Sequence, residues 1–162
     1  MLEVLERHRV AYVVIGGIGA RLWGSPQLTE DLDVCASAVR ANLARLADAL
    51  NELRASFRAD GGAAAVATPA WDARALSGDL GASLALVTTF GPLDIWFRPD
   101  GTEGYVELDR RARELPLEGL TTRVAHIDDI IRSKEAAGRD KDLAGLPLLR
   151  TLRRALERRG ET

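Results

Sequence analysis

The chain is short of the residues on which several kinds of protein depend. It has one cysteine, which excludes an internal disulfide framework and fits a reducing, cytoplasmic setting. Cys35 reads as a small core residue. That cysteine with His8 and His126 falls short of a zinc site. No apolar run approaches the ~20 residues that span a bilayer. The N-terminus is charged and lacks the apolar stretch of a signal peptide. Neither sign of charge is in excess: 22 basic residues face 24 acidic ones, for a net charge of −2. That balance argues against a protein that coats nucleic acid. Lysine is almost missing; Lys134 and Lys141 are the only two, seven positions apart, and arginine supplies the remaining basic residues.

What is present is ordinary for a soluble globular domain: 162 residues, 46% of them hydrophobic and 28% charged. That length suits one domain with its own core, over 1–162. The informative stretch is Tyr12 to Cys35. Tyr12 to Ile15 is aromatic and β-branched, the composition of a buried strand. Gly16-Gly17 breaks the strand and permits a sharp turn. Ile18 to Trp23 spans one or two helical turns, whose free N–H groups suit a phosphate. Gly24, Ser25 and Pro26 end it, and a second strand carries Asp31-Leu32-Asp33-Val34. Side chains alternate along a strand, so Asp31 and Asp33 leave by one face, Leu32 and Val34 by the other. Two carboxylates so close repel, and a divalent cation relieves the repulsion. Hard oxygen donors suit magnesium or manganese.

Ile15-Gly16-Gly17, thirteen intervening residues and Asp31-Leu32-Asp33-Val34 together resemble the first motif of the DNA polymerase β-like nucleotidyltransferase superfamily. The resemblance extends to the small bacterial members, toxin-type and minimal nucleotidyltransferases among them. The resemblance implies a third carboxylate on a later strand, for which Asp94 in GPLDIWF stands. It implies a distal basic motif, for which Lys134-x4-Arg139-x-Lys141-Asp142 stands. The fold implied is a mixed β-sheet with helices packed on it. The activity implied is transfer of a nucleoside monophosphate from a triphosphate, ATP among them, with two metal ions held by Asp31, Asp33 and Asp94. Gly16 and Gly17 would then approach the triphosphate tail. Lys134 would meet the charge developing on pyrophosphate, with Arg139 and Lys141 as further nucleotide contacts. One departure stands out: small relatives often carry a basic residue just before the Asp pair, where this chain has Gln27-Leu28-Thr29-Glu30.

The rest of the chain fits around those motifs. Leu2 to Val10 reads as an amphipathic helix. Ser37 or Ala38 to Phe57 reads as the clearest helix, with Leu43, Leu46, Leu50 and Leu53 as a buried stripe and Arg40, Arg45, Asp48, Glu52 and Arg54 wet. Asp60 to Gly81 reads as loops around short elements, with Asp72 capping a helix to Leu76 and Trp71 packed rather than stacked on a base. Ser83 to Thr89 and Leu93 to Phe97 form a hairpin around Gly91-Pro92. Alternation puts Asp94, Trp96 and Arg98 on one face of the second strand. Glu103 to Leu115 reads as a helix with Tyr105, Leu108 and Ala112 inward. Leu120 to Ala125 is a last strand. His126 to Ala137 is a helix ended by Gly138, in which capping and solvation account for Asp128 and Asp129. Asp142 to Arg159 is a final helix with Leu148, Leu152 and Leu156 inward and a solvated arginine face. The portion from about 126 to 159 is helical.

Two competing readings are weaker. A dinucleotide-binding turn begins well at Gly17-Ile18-Gly19, but Leu22 stands where the third glycine belongs, and the acidic pair comes too early for a ribose. Loop glycines beside a solvated Asp pair leave unexplained why Asp94 matches in parity on a second strand. The expected partners are a nucleoside triphosphate, an acceptor hydroxyl on tRNA, a protein or a small molecule such as an aminoglycoside, and a cognate protein of the toxin-antitoxin kind; no membrane is expected. The alternative function is a silent nucleotide-binding module, regulatory or antitoxin-like. Lys134 lies three and four residues beyond Ile131 and Ile130, on the same helix face, where a lysine needs a charged partner; the carboxylate cluster or a phosphate would serve.

Overall fold

A computed structural model describes residues 1–58, 65–66, 70–77, 83–117 and 119–161. Element order is α1 (Leu2–Arg7), β1 (Tyr12–Val14), α2 (Gly16–Leu22), β2 (Leu32–Ala36), α3 (Arg40–Glu52), β3 (Ser56–Arg58), β4 (Ala65–Val66), α4 (Ala73–Ser77), β5 (Ser83–Thr88), β6 (Gly91–Trp96), α5 (Tyr105–Arg111), β7 (Arg113–Leu117), β8 (Leu120–Val124), α6 (Ile127–Ala137) and α7 (Asp140–Arg159). The strands form one mixed sheet in the order β4-β3-β5-β6-β2-β1-β8-β7. This is the expected α/β architecture, a mixed β-sheet with helices packed on it. Among the described residues, no helix is long and apolar enough to cross a membrane.

The centre of the sheet is built from the apolar runs. Val13, Val14, Val34, Cys35, Leu93 and Ile95 are fully buried on β1, β2 and β6. β2 runs antiparallel to β1 and parallel to β6. Burial pushes the Cys35 thiol up to about 12, the behaviour of an inert core residue. On α3, Leu43, Leu46 and Leu50 are buried together with Leu53 just beyond it; each such side chain contributes about 1.5–3 kcal/mol. Asn42 fastens α3 to the chain just before β1 and just after β2: its Oδ1 accepts from the Ala11 N–H (2.6 Å) and its Nδ2 donates to the Ala11 and Ser37 carbonyls (3.0 and 2.8 Å). Trp71 is a packing residue, as expected; its ring meets Phe57 edge-on and its Nε1 donates to the Ala55 carbonyl. Asp72 caps α4 by accepting from the Ala75 N–H. The loop reading of Gly61-Gly62, Ala63, Ala64, Pro69 and Gly78 lies outside the described residues, while Ala65 falls in β4.

Several expectations need correction. The third helix stops at Glu52, and Phe57 lies instead in β3, paired with Leu86; Arg54 turns the chain with φ 52°. The hairpin turn falls at Thr89-Phe90, so Gly91 and Pro92 already belong to β6. The helix after Glu103 ends at Arg111 because Ala112 is extended (φ −59°, ψ 146°). Residues Arg113–Leu117 then pair with β8 as the edge strand β7, a place that tolerates Pro116, which has no N–H to give. On α7 the inward residues are Leu146, Leu149 and Leu156, while Leu148 is exposed. Asp129 is not a solvated capping residue: it is 1% exposed. The N-cap of α6 is His126, whose Nδ1 accepts from the Asp128 N–H.

Candidate active site

The sheet register assembles the acidic residues. β2 and β6 are parallel, with Asp33 opposite Asp94 and Leu32 opposite Leu93. Residues opposed across a sheet share a face, so both carboxylates rise on one side. Both, with Asp31 just before β2, line a cleft of about 380 Å³. Its walls include Gly16, Gly17, Thr29, Trp96, Asp129, Lys134, Arg139, Lys141 and Asp142. Every site residue expected from sequence therefore faces one cavity.

The glycine turn is fitted to the acids. Gly16 starts α2 with φ +61°, and a Cβ there would stand 2.2 Å from Asp33 Oδ2. No L side chain fits that backbone and that gap together. A Cβ on Gly17 would stand 2.8 Å from Thr29 Cγ2; this second glycine serves close packing against the loop before Asp31. Trp23 secures the far end of α2, with its Nε1 donating to the Ala125 carbonyl at 2.8 Å.

Electrostatics at the acids are unfavourable without a cation. Burial, and then the charge of Asp94, push the Asp33 carboxyl above its ordinary value, against a hydrogen bond from Trp96 Nε1 to Asp33 Oδ1 at 3.2 Å. Asp94 is also pushed up, by burial first, with Arg58 pulling the other way. Arg58 Nη2 straddles both Asp94 oxygens (2.8 and 3.1 Å), and its Nη1 lies 3.9 Å from Asp31 Oδ2. Among the described residues, no group of three or more Asp, Glu, His or Cys is drawn in closely enough to be a ready-made metal cage. The donor set itself, Asp33 and Asp94 on adjoining strands with Asp31 just before β2, its negative charge offset only in part by Arg58, fits a hard divalent cation.

The distal motif forms a second cluster in the same cleft. Lys134 Nζ donates to Asp142 Oδ1 at 2.9 Å, and Arg139 Nε donates to Asp142 Oδ2 at 2.5 Å. The partner that Lys134 needs is thus Asp142, not the carboxylate trio. Burial pushes the Asp142 carboxyl up, but the hydrogen bonds from Lys134 and Arg139 outweigh it and hold the group below its ordinary value. The charge of Lys134 still reaches Asp33, and that of Lys141 reaches Asp94, each favouring the ionised acid.

Sequence reasoning missed Arg58, Asp129 and the role of Asp142. Arg58 sits on a strand of three residues, too short for alternation to reveal. Asp129 is clasped through Oδ1 by Arg111 (2.8 Å), eighteen positions earlier, and by Arg132 (3.2 Å), one turn on along α6. Trp96 was placed beside Asp94 by parity alone, and the structure gives it Asp33 as acceptor.

No family model matches the chain, and no curated protein matches it. Solved structures do. A Thermotoga maritima protein ascribed nucleotidyltransferase activity superposes with a TM-score of 0.56 at 19% identity, covering 96% of this chain and 88% of that one. The lincosamide antibiotic adenylyltransferase LnuA, bound to lincomycin, superposes at 0.61 and 13% identity, covering 93% and 92%. ANT(2")-Ia in complex with adenylyl-2"-tobramycin superposes at 0.55 and 14%, covering 98% and 93%. At such identities the likeness is one of fold, and over almost its whole length this chain has the fold of those nucleotidyltransferase structures.

Proposed function

We propose that the protein moves a nucleoside monophosphate from a nucleoside triphosphate to a hydroxyl of a small-molecule acceptor. The observation that carries this reading is the Asp33–Asp94 register pair, with Asp31 beside it, rising in one cleft against the Gly16 turn. The small-molecule acceptor is favoured over tRNA or protein by the two superposed adenylyltransferases, whose structures hold lincomycin and an adenylylated tobramycin. A cleft of about 380 Å³ is also of the size that encloses small ligands.

Asp31, Asp33 and Asp94 would hold magnesium or manganese, which when bound supplies charge neutralisation at phosphate and a lowered pKa at the acceptor hydroxyl. The protein's own groups do the rest. Asp94, level with Asp33 on the adjoining strand, takes the acceptor's proton. The acceptor oxygen forms its bond to the α-phosphorus as the bond to pyrophosphate breaks, and pyrophosphate departs with the electron pair. Lys134 and Arg139, anchored by Asp142, present positive charge in the cleft that the acids line, where the leaving group gains from it. Gly16 and Gly17 let backbone approach the tail without a Cβ in the way.

The test is incubation with each labelled triphosphate, magnesium, and a panel of aminoglycosides, lincosamides and other polyols, with products separated by mass. A labelled acceptor that disappears in Asp94→Asn supports the proposal. No transfer to any acceptor, with intact triphosphate throughout, would falsify it.

A further inference from the structure

We infer that Arg58 is an internal cation that occupies the acidic site when no metal is bound and competes with the metal for Asp94 and Asp31. The inference rests on the metal-dependent reading above and adds a residue to it.

The sheet places Arg58 for this. Ser56 and Phe57 stand opposite Val87 and Leu86, so one step on in the same antiparallel register Arg58 stands opposite Ala85. Ala85 pairs with Asp94, and Asp94 pairs with Asp33. Arg58, Ala85, Asp94 and Asp33 thus form one row across four strands, on one face. Only a methyl lies between the arginine and the acids, so the long side chain crosses over it to Asp94. Its two terminal nitrogens divide the work: Nη2 straddles both oxygens of Asp94 and Nη1 faces Asp31 Oδ2 at 3.9 Å. The Arg58 side chain is 25% exposed and that of Asp94 17%, so water screens the contact only in part.

This contact uses both oxygens of Asp94, the same atoms a divalent ion would need. A cation on Asp94 and Asp31 must displace the guanidinium or share its acceptors, and two positive charges so close repel. Conversely, with no ion bound, Arg58 relieves part of the repulsion among three acids, of which burial already penalises Asp33 and Asp94. The arrangement lets the sheet fold without metal and sets a threshold concentration below which the site stays closed to the ion.

The test is manganese binding to the nucleotide-free, chelator-stripped protein, read from the loss of the free-ion signal in electron paramagnetic resonance. Arg58→Gln keeps a hydrogen-bond donor and removes the charge. It should bind manganese about tenfold more tightly than wild type, the order expected when a charge-assisted contact is released. Its melting temperature in chelator should fall, and manganese should restore it. Arg58→Lys keeps the charge but presents one terminal nitrogen where Arg58 presents two, and should tighten binding by a smaller factor; it carries the comparison if the glutamine variant does not fold without metal. Equal or weaker manganese binding in these variants overturns the inference and leaves the transferase reading standing. No manganese binding to wild type or variant at millimolar concentration overturns both.

Discussion

Lys134 and Asp142 form an ion pair at 2.9 Å with the carboxylate almost wholly buried. The pair joins α6 to α7 and fixes the ammonium in the cleft that the three acids line. A lysine free to snorkel would swing with its stem; one hydrogen-bonded to a buried carboxylate is held in place before substrate arrives, which limits the ordering cost at binding.

Lys134→Met keeps the stem and removes the charge. A role at the leaving group predicts a fall in turnover of roughly tenfold to a thousandfold. Steady-state kinetics with the acceptor that the labelling assay identifies provide the check, and wild-type turnover would move the role to Arg139 or Lys141. Asp142→Asn should lower stability by about 2 kcal/mol, since hydrogen bonds to charged groups are worth about 1.5–3 kcal/mol. Because Asp142 is held below its ordinary value, its contribution is present above about pH 3.9 and is lost as pH falls through the depressed folded value. Urea titrations at pH 7 and under acid conditions should show the difference between wild type and variant shrinking on the acid side.

Asp33→Asn is expected to abolish transfer while raising the melting temperature of the metal-free protein at pH 7. The Asp33 carboxyl is pushed up by burial and by Asp94, so the folded state binds its proton more readily than the unfolded chain does. Stability from that proton is complete below about pH 3.9 and is lost as pH rises through the folded value. At pH 7 the ionised group therefore opposes folding. Differential scanning calorimetry across pH 4 to 8 should show the variant's advantage growing with pH. A large fall in melting temperature at pH 7 would make Asp33 a structural residue.

Gly16→Ala should cost at least about 1–3 kcal/mol, the scale of local backbone strain, because φ +61° and the 2.2 Å approach to Asp33 Oδ2 act together. Gly17→Val should also disturb the site, though through Thr29. Calorimetric titration with a non-hydrolysable triphosphate separates the effects: a role in admitting the phosphate tail predicts a loss of binding larger than the loss of stability for Gly17→Val. Unchanged affinity would leave both glycines with packing roles only.

His126 gives the fold a third pH dependence. Burial, and then the charge of Arg111, hold the imidazole below its ordinary value, as suits a ring that accepts the Asp128 N–H. The neutral ring's contribution is present above about pH 6.5 and is lost as pH falls through the lower folded value. Thermal melts between pH 7.5 and 5 should show this decline. His126→Asn keeps an N-cap acceptor and should flatten it.

Local chemistry in the sequence carried much of this. The face shared by Asp31 and Asp33, and the matching parity of Asp94, follow from the two-residue period of a strand, which needs no knowledge of neighbours. The buried stripe Leu43, Leu46, Leu50 and Leu53 follows from the helical period in the same way. Gly16-Gly17 announced a turn because so few residues accept positive φ. Tertiary structure decided what depends on partners distant in the chain. Residues Arg113–Leu117 became a strand because β8 offers them an edge to pair with. On α7, α6 fixed the inward face on Leu146 and Leu149 and left Leu148 out. Asp129 is buried because Arg111, eighteen positions earlier, reaches it. Arg58 meets Asp94 across thirty-six positions only because β3, β5 and β6 align in one register. A periodic pattern reports the face a residue occupies; which charge it meets on that face is set by the packing of other elements, and that is where this site acquired its cations.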